Sequence, residues 1–187
     1  MCILSVGCSG GKSSLETVIV DNKIVPRVRT EGALTLISDS GITRYRMTAK
    51  LSELYVDSVP EPYMYYPEGI LFEKFDSIFN VEGSIVADTA YYYYEKQKLW
   101  RAIGNVKAIN FSGDKFETSE LFWSEKERSI YTDKFIRIER AGQLHTGYGF
   151  RSNQDLSEWQ ILNHAGEIDV KEDSIQSPTT PIHADMQ

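Results

Sequence analysis

From Ile42 to Leu51 apolar-facing and polar positions alternate strictly. Thr43, Tyr45, Met47, Ala49 and Leu51 face one way, and Arg44, Arg46, Thr48 and Lys50 the other. A period of two is that of a half-buried antiparallel strand with one wet face. Asp39-Ser40-Gly41 ahead of it has the chemistry of a turn. Short strands are predicted over Gly69 to Phe75, Ile78 to Glu82, Ile85 to Ala87, Ala90 to Glu95, Leu99 to Ile103 and Val106 to Phe111. More follow over Phe116 to Ser119, Leu121 to Trp123, Ile130 to Thr132, Phe135 to Glu139, His145 to Phe150 and Glu158 to Leu162. Turn clusters at Ser112-Gly113-Asp114, Arg140-Ala141-Gly142 and Ala165-Gly166 separate them. No segment keeps an apolar stripe at the helical period, so the fold class is all-β, a roll, sandwich or barrel of many short strands.

The strands nearly repeat. Ala87 to Tyr91, Leu99-Trp100 and Gly104-Asn105-Val106 are echoed by Thr118 to Trp123 and Ile130 to Phe135, a shift of about 31 residues, and more weakly by Gly147 to Asn153. Such self-similarity points to a stacked or rolled sheet that offers a surface or groove. Before this body, Ser14 to Arg29 reads as a linker with room for one edge strand, because Val18 to Val20 and Ile24-Val25 are interrupted and Pro26 follows. The expected division is a truncated lipoprotein signal and linker over 1–29, the β-domain over 30–166 and a disordered acidic tail over 167–187.

Composition narrows the function. Aromatic residues make up 12% of the 187 residues, with 11 Tyr and 8 Phe, which suits pleated surfaces. The formal charge is −7. The stretch 167–187 has five acids and one base, and so carries −4 of it. No basic stripe stands ready for a phosphate backbone, so nucleic acid is not an expected partner. No apolar run of about 18 residues is present. Cys2 and Cys8 are the only cysteines, so no disulfide framework supports the fold. His145, His164 and His183 have no metal-ligand spacing, and no Gly-x-Ser-x-Gly elbow occurs. Neither a metal nor a cofactor is expected, and no catalytic residue is assigned. Carboxylates such as Glu117, Glu120, Glu125 and Asp133 read as solvated strand edges. A carboxylate pair could in principle serve a glycosidase, but nothing selects one pair over another.

At the amino terminus, the apolar run to Cys8 followed by Ser9-Gly10-Gly11 resembles a lipobox and makes Cys8 the candidate lipidation site. Gly7 to Ser13 imitates a phosphate loop but lacks its spacing and its preceding strand. Tyr91-Tyr92-Tyr93-Tyr94 would coat both faces of a strand, as a core face plus aromatic cover or as a contact surface. Val106, Phe116, Leu121, Trp123, Ile130, Phe135, Ile136, Ile138, Phe150, Trp159 and Ile161 are the apolar bulk of the roll. They form a core if two layers close. If the layers stay apart they line a channel for acyl chains, whose burial yields about 0.8 kcal/mol per methylene.

Several runs together resemble one family. They are Ser38 to Tyr45, Pro67-Glu68-Gly69, Phe72 to Phe75, Ala87 to Ala90, Gly104-Asn105-Val106, Phe116-Glu117-Thr118, Leu121-Phe122-Trp123, Ile130 to Phe135 and Gly147 to Asn153. With these residues the chain resembles LptC, the periplasmic component of lipopolysaccharide export, and in particular its Bacteroidetes lipoprotein form, over roughly residues 30 to 165. The resemblance implies an open β-jellyroll like that of LptA, with a hydrophobic groove for lipopolysaccharide acyl chains. It implies a periplasmic protein anchored to the inner membrane, here through lipidated Cys8, that takes lipid from the LptB, LptF and LptG transporter and passes it to LptA. It also places Gly147, Gly149, Phe150 and Asn153 at the LptA-facing end, with the two glycines as points of close backbone approach. An adaptor that joins jellyrolls edge to edge without carrying lipid is the alternative.

Overall fold

The structure, a computed structural model, describes residues 24–39 and 41–169. Eleven antiparallel strands form one sheet: β1 (Val28–Asp39), β2 (Ile42–Tyr55), β3 (Tyr63–Tyr66), β4 (Ile70–Phe75), β5 (Val81–Ala87) and β6 (Thr89–Tyr93), then β7 (Leu99–Ile109), β8 (Lys115–Ser124), β9 (Ser129–Arg140), β10 (Gln143–Asn153) and β11 (Trp159–Asp169). The all-β reading holds, and the topology is simpler than eleven strands suggest. β3 and β4 both pair with β2, and β5 and β6 both pair with β7. Each couple is one long strand interrupted in its middle. The sheet is therefore a meander in which every row pairs with its neighbour in sequence, and β1 and β11 are its two ends.

The interruptions line up. Pro67-Glu68-Gly69 separates β3 from β4, Asp88 separates β5 from β6, and β7 slips register between Ile103 and Val106. β8 slips between Thr118 and Phe122, and β10 between Tyr148 and Phe150. Extra residues in one strand of a pair bend it and increase its twist, so a row of such bulges acts as a crease across the sheet. The crease needs left-handed backbone, found at Gly69 (φ 92°), Gly104 (φ 80°), Asn105 (φ 42°) and Gly149 (φ 73°). Asp88 locks the centre: its amide donates to the Gly104 carbonyl at 3.0 Å, and its carboxylate accepts from Asn105 Nδ2 at 2.8 Å. A Cβ on residue 104 would lie 2.6 Å from the Asp88 carboxylate, so glycine is required there on two counts.

Creased in this way, the sheet faces itself. Trp123 of β8 meets Phe72 of β4 edge-on at 4.9 Å and Tyr45 of β2 at 6.2 Å, although β5 and β7 lie between β4 and β8 in the sheet. The interior is one apolar cluster running from Met47 and Ala49, through Phe72, Trp100, Val106 and Phe116, to Phe150 and Ile161.

Several elements differ from their prediction. β1 is a full strand running on to Asp39, where a linker with room for one edge strand was expected up to Arg29 and a turn from Asp39. It has a single neighbour and leaves Leu34 and Leu36 exposed, so no buried face imposes alternation on it. Of the predicted strand Ile78 to Glu82, Ile78 to Asn80 form a hairpin tip instead, and Val81 and Glu82 open β5. The Asp76 carboxylate accepts from the amides of Ile78 and Asn80, both at 2.9 Å, which is how a short acidic side chain competes with a ladder. Ile78 there is 77% exposed. β3 was not foreseen, and β7, β8 and β9 each join two predicted short strands across the crease. Cys8, most of the linker and the tail beyond Asp169 lie outside the described residues.

Candidate functional site

Two slender clefts lie between the facing layers. The first, about 40 Å³, is walled by Phe72, Ile85, Ile109, Trp123, Ile130 and Leu156, with Lys74, Glu82, Asn110 and Asp155 among its polar members. The second, about 30 Å³, is walled almost wholly by apolar groups: Ile70, Phe72, Ile85, Ala90, Trp100, Ala102, Leu121 and Trp123. Phe72, Ile85 and Trp123 belong to both, so the clefts adjoin along one line through the molecule. Their volumes are far below the several hundred Å³ of ordinary ligand sites. In this conformation the layers are nearly closed on each other.

Aromatic side chains do most of the closing. Tyr92, Trp100 and Trp123 occupy directly paired positions on β6, β7 and β8, and their rings form a ladder, with Tyr92 on Trp100 at 4.1 Å and Trp100 on Trp123 at 6.2 Å. Trp100 Nε1 donates to Glu125 at 2.9 Å. Burial, followed by the charge of Glu125, pushes the Tyr92 hydroxyl well above its ordinary pKa. The four consecutive tyrosines thus divide by face: Tyr92 packs inward, and Tyr91 and Tyr93 join Tyr55, Tyr63 and Tyr65 in a cluster of tyrosine rings at spacings of 4.6 to 6.4 Å.

The end of the first cleft is closed by the loop between β10 and β11. Leu156 is buried at φ 60°, and its carbonyl accepts from Asn110 Nδ2 at 2.9 Å. Asn110 is itself buried. Its amide also donates to Asp114 at 3.1 Å, and its Oδ1 accepts from the backbone of Ser112 and Asp114. Lys74 pairs with Glu82 at 3.0 Å. Hydrogen bonds from Ser157, with Lys74 nearby, hold the Asp155 carboxyl below the usual carboxylate range.

Ten of the eleven predicted interior residues come together in or against the apolar cluster: Val106, Phe116, Leu121, Trp123, Ile130, Ile136, Ile138, Phe150, Trp159 and Ile161. Only Leu121, Trp123 and Ile130 border a cleft. Phe135 does not join them. It is 44% exposed and meets its cross-strand partner Tyr148, 56% exposed, edge-on at 5.3 Å, because the bend in β9 leaves Asp133, Lys134 and Phe135 exposed in succession. The cleft residues that sequence reasoning missed, chiefly Phe72, Ile85, Trp100 and Leu156, are single apolar positions in short strands or a turn. The alternation of β4 and β5 carried the only signal for the first two.

Gly147, Gly149, Phe150 and Asn153 sit one row in from the end of the sheet. A Cβ at residue 147 would lie 2.3 Å from the Asn163 carbonyl, and one at residue 149 would lie 3.1 Å from the Leu162 side chain. The close approach these glycines permit is to β11 of the same chain. Phe150 is core, and Asn153 caps the following turn through Ser157 and Glu158. The free edge at this end is that of β11. Among the described residues no group of His, Cys, Asp and Glu is arranged to hold a metal ion.

The model of the family described as "Lipopolysaccharide-assembly, LptC-related" matches residues 22–167. The chain belongs to that family. It is a family of envelope proteins that face the periplasm from the inner membrane and serve lipopolysaccharide transport, a transport component and not an enzyme family. The match takes in all of the sheet but the last two residues of β11, crease included. No curated protein sequence matches the chain.

Proposed function

We propose that this chain is a lipid-transfer segment of the lipopolysaccharide export path, taking lipid from the inner-membrane LptB, LptF and LptG transporter and handing it to LptA. One observation carries the reading: the two apolar clefts adjoin along Phe72, Ile85 and Trp123 between layers that no strand pairing closes at either end. Parting the layers widens that line into a groove for acyl chains, whose burial supplies the affinity. The ends of the sheet are open to strand addition. In this proposal the β1 edge meets the transporter, the β11 edge meets LptA, and lipidated Cys8 tethers the domain to the inner membrane.

The near-closure of the interior favours a second reading, an adaptor that only joins jellyrolls. Photocrosslinking in cells separates them. A photoreactive residue at Leu121 or Ile85, and at exposed Lys126 as a control, is irradiated and blotted for lipopolysaccharide. Transfer gives adducts at the two inward positions that disappear when ATP hydrolysis by the transporter is blocked. Folded, anchored protein without inward adducts establishes the adaptor.

A further inference from the structure

The walls of the first cleft come from two parts of the chain. Phe72, Lys74, Ile85, Ile109 and Asn110 belong to one, and Trp123, Ile130, Asp155 and Leu156 to the other. The second wall ends in the loop between β10 and β11, which is built as a unit of its own. Asn153 Oδ1 accepts from the amides of Ser157 and Glu158 at 3.1 and 3.2 Å. The Asn153 amide donates to the Glu158 carbonyl at 3.1 Å, and the Leu156 amide to the Asn153 carbonyl at 3.2 Å. Ser157 Oγ donates to Asp155 at 2.6 Å. None of these bonds reaches the opposite wall. Among the described residues, the loop is tied across the cleft by the buried Leu156 side chain and by one hydrogen bond, from Asn110 Nδ2 to the Leu156 carbonyl at 2.9 Å. Asp155 is held chiefly by Ser157 and is drawn more weakly by Lys74, which already pairs with Glu82.

Leu156 stands apart in another way. Among the described residues seven other than glycine have left-handed backbone; six of them are exposed, and Leu156, at φ 60°, is the one that is buried. A bulky side chain at such a φ is strained, and strain of this kind persists at clamps and switches, where the surroundings impose it. The turn itself gives no reason for a leucine, since Asn153, Asp155 and Ser157 supply its side-chain hydrogen bonds.

We propose that this loop is a gate, with Leu156 as its plug and Asn110 as its latch, and that it swings out as a unit on the ends of β10 and β11. The inference rests on the lipid-transfer reading and adds its regulation: the cleft admits a chain only while the gate is open. With the gate closed the two clefts hold about 40 and 30 Å³, far less than an ordinary ligand site. Few ties across the cleft and many within the loop make the loop the part that moves, because local opening occurs where little contact must break. The open form is then a minor state, on the order of one molecule in a hundred. Apparent affinity is lowered by that same fraction. A substitution that frees the gate therefore strengthens binding while it weakens the fold. A residue that only packs the core would do the reverse.

The test uses the full chain and cis-parinaric acid, a fatty acid that fluoresces in apolar surroundings. In stopped-flow mixing, Leu156→Ala is expected to raise the association rate and the affinity together by about tenfold, with dissociation unchanged. That is a shift of the open fraction from about one in a hundred to about one in ten. Phe122→Ala removes a ring stacked on Tyr131 outside both clefts, and as a destabilising control it should leave the association rate as it is. A second readout needs no variant. Relaxation dispersion on methyl-labelled wild-type protein without lipid should show Leu156, Ile109 and Ile130 exchanging at one common rate. Unchanged or slower association in Leu156→Ala, or flat dispersion at these methyls, overturns the gate and leaves lipid transfer standing. Failure of the probe to bind both wild type and Leu156→Ala overturns the lipid-transfer reading, and the gate with it.

Discussion

At the residue scale the decisive positions are those where the backbone leaves no choice. Gly147 faces the Asn163 carbonyl and the Ile161 methyl, which a Cβ would approach to 2.3 and 2.4 Å. Gly147→Ala must push β11 away from β10, and overpacking of this kind costs about 2 to 3 kcal/mol. Gly113 has a left-handed φ of 83° with open space around its Cα, so Gly113→Ala should cost only about 1 kcal/mol, the penalty of left-handed backbone for a residue with a side chain. Urea unfolding of the two variants measures the difference, and equal losses would mean that β11 is not held as described. The glycines were visible in the sequence as a motif. Their reason was not, because a Gly-Tyr-Gly run looks the same whether the approaching backbone belongs to a partner or to the chain's own next strand.

Beyond the strand ladders and the ion pairs that accompany them, Asn110 is the clearest polar tie between elements. It closes the turn between β7 and β8 on itself and also holds the loop carrying Leu156, which fills the end of the first cleft. Asn110→Ala should destabilise the domain by about 3 kcal/mol, in line with orphaning buried hydrogen-bond partners. It should also speed amide exchange of residues 154–158 selectively, measured against the core of β9. Uniform protection across both regions would show that the loop is held by other contacts. The same scale explains the strand predictions. Alternation in β2 was legible because one face is core and the other water. β1 escaped because an edge strand with exposed Leu34 and Leu36 imposes no such pattern. β7, β8 and β9 looked broken because bulges in β7 and β9 shift the register on both sides of β8 in the middle of the strands.

For the whole molecule, the tyrosines set an alkaline limit. Burial, and then Glu53, push Tyr55 up to about 12, and burial raises Tyr66 to about 12 against a weaker lowering by Ser52. Tyr63 and Tyr91 also move upward, by burial first. A raised tyrosine pKa means that the folded state keeps a proton the unfolded chain has lost. Their stabilisation is therefore complete below about pH 10 and declines as pH rises toward about 12. Thermal unfolding should show a midpoint flat to about pH 10 and falling beyond it, with a shallower fall in Tyr66→Phe. A midpoint unchanged to pH 12 would mean that these hydroxyls are as solvated folded as unfolded. By itself the sequence determined the all-β class, the family and ten members of the interior, because alternation, turn chemistry and motif residues are local properties of the chain. Only the tertiary structure decided how far the interior closes, which side chains border the remaining clefts, that Phe135 lies outside and that β11 is the free edge. Each of those depends on where bulges turn the strands and on which layer comes to face which, and contacts across a creased sheet leave no period in the sequence that encodes them.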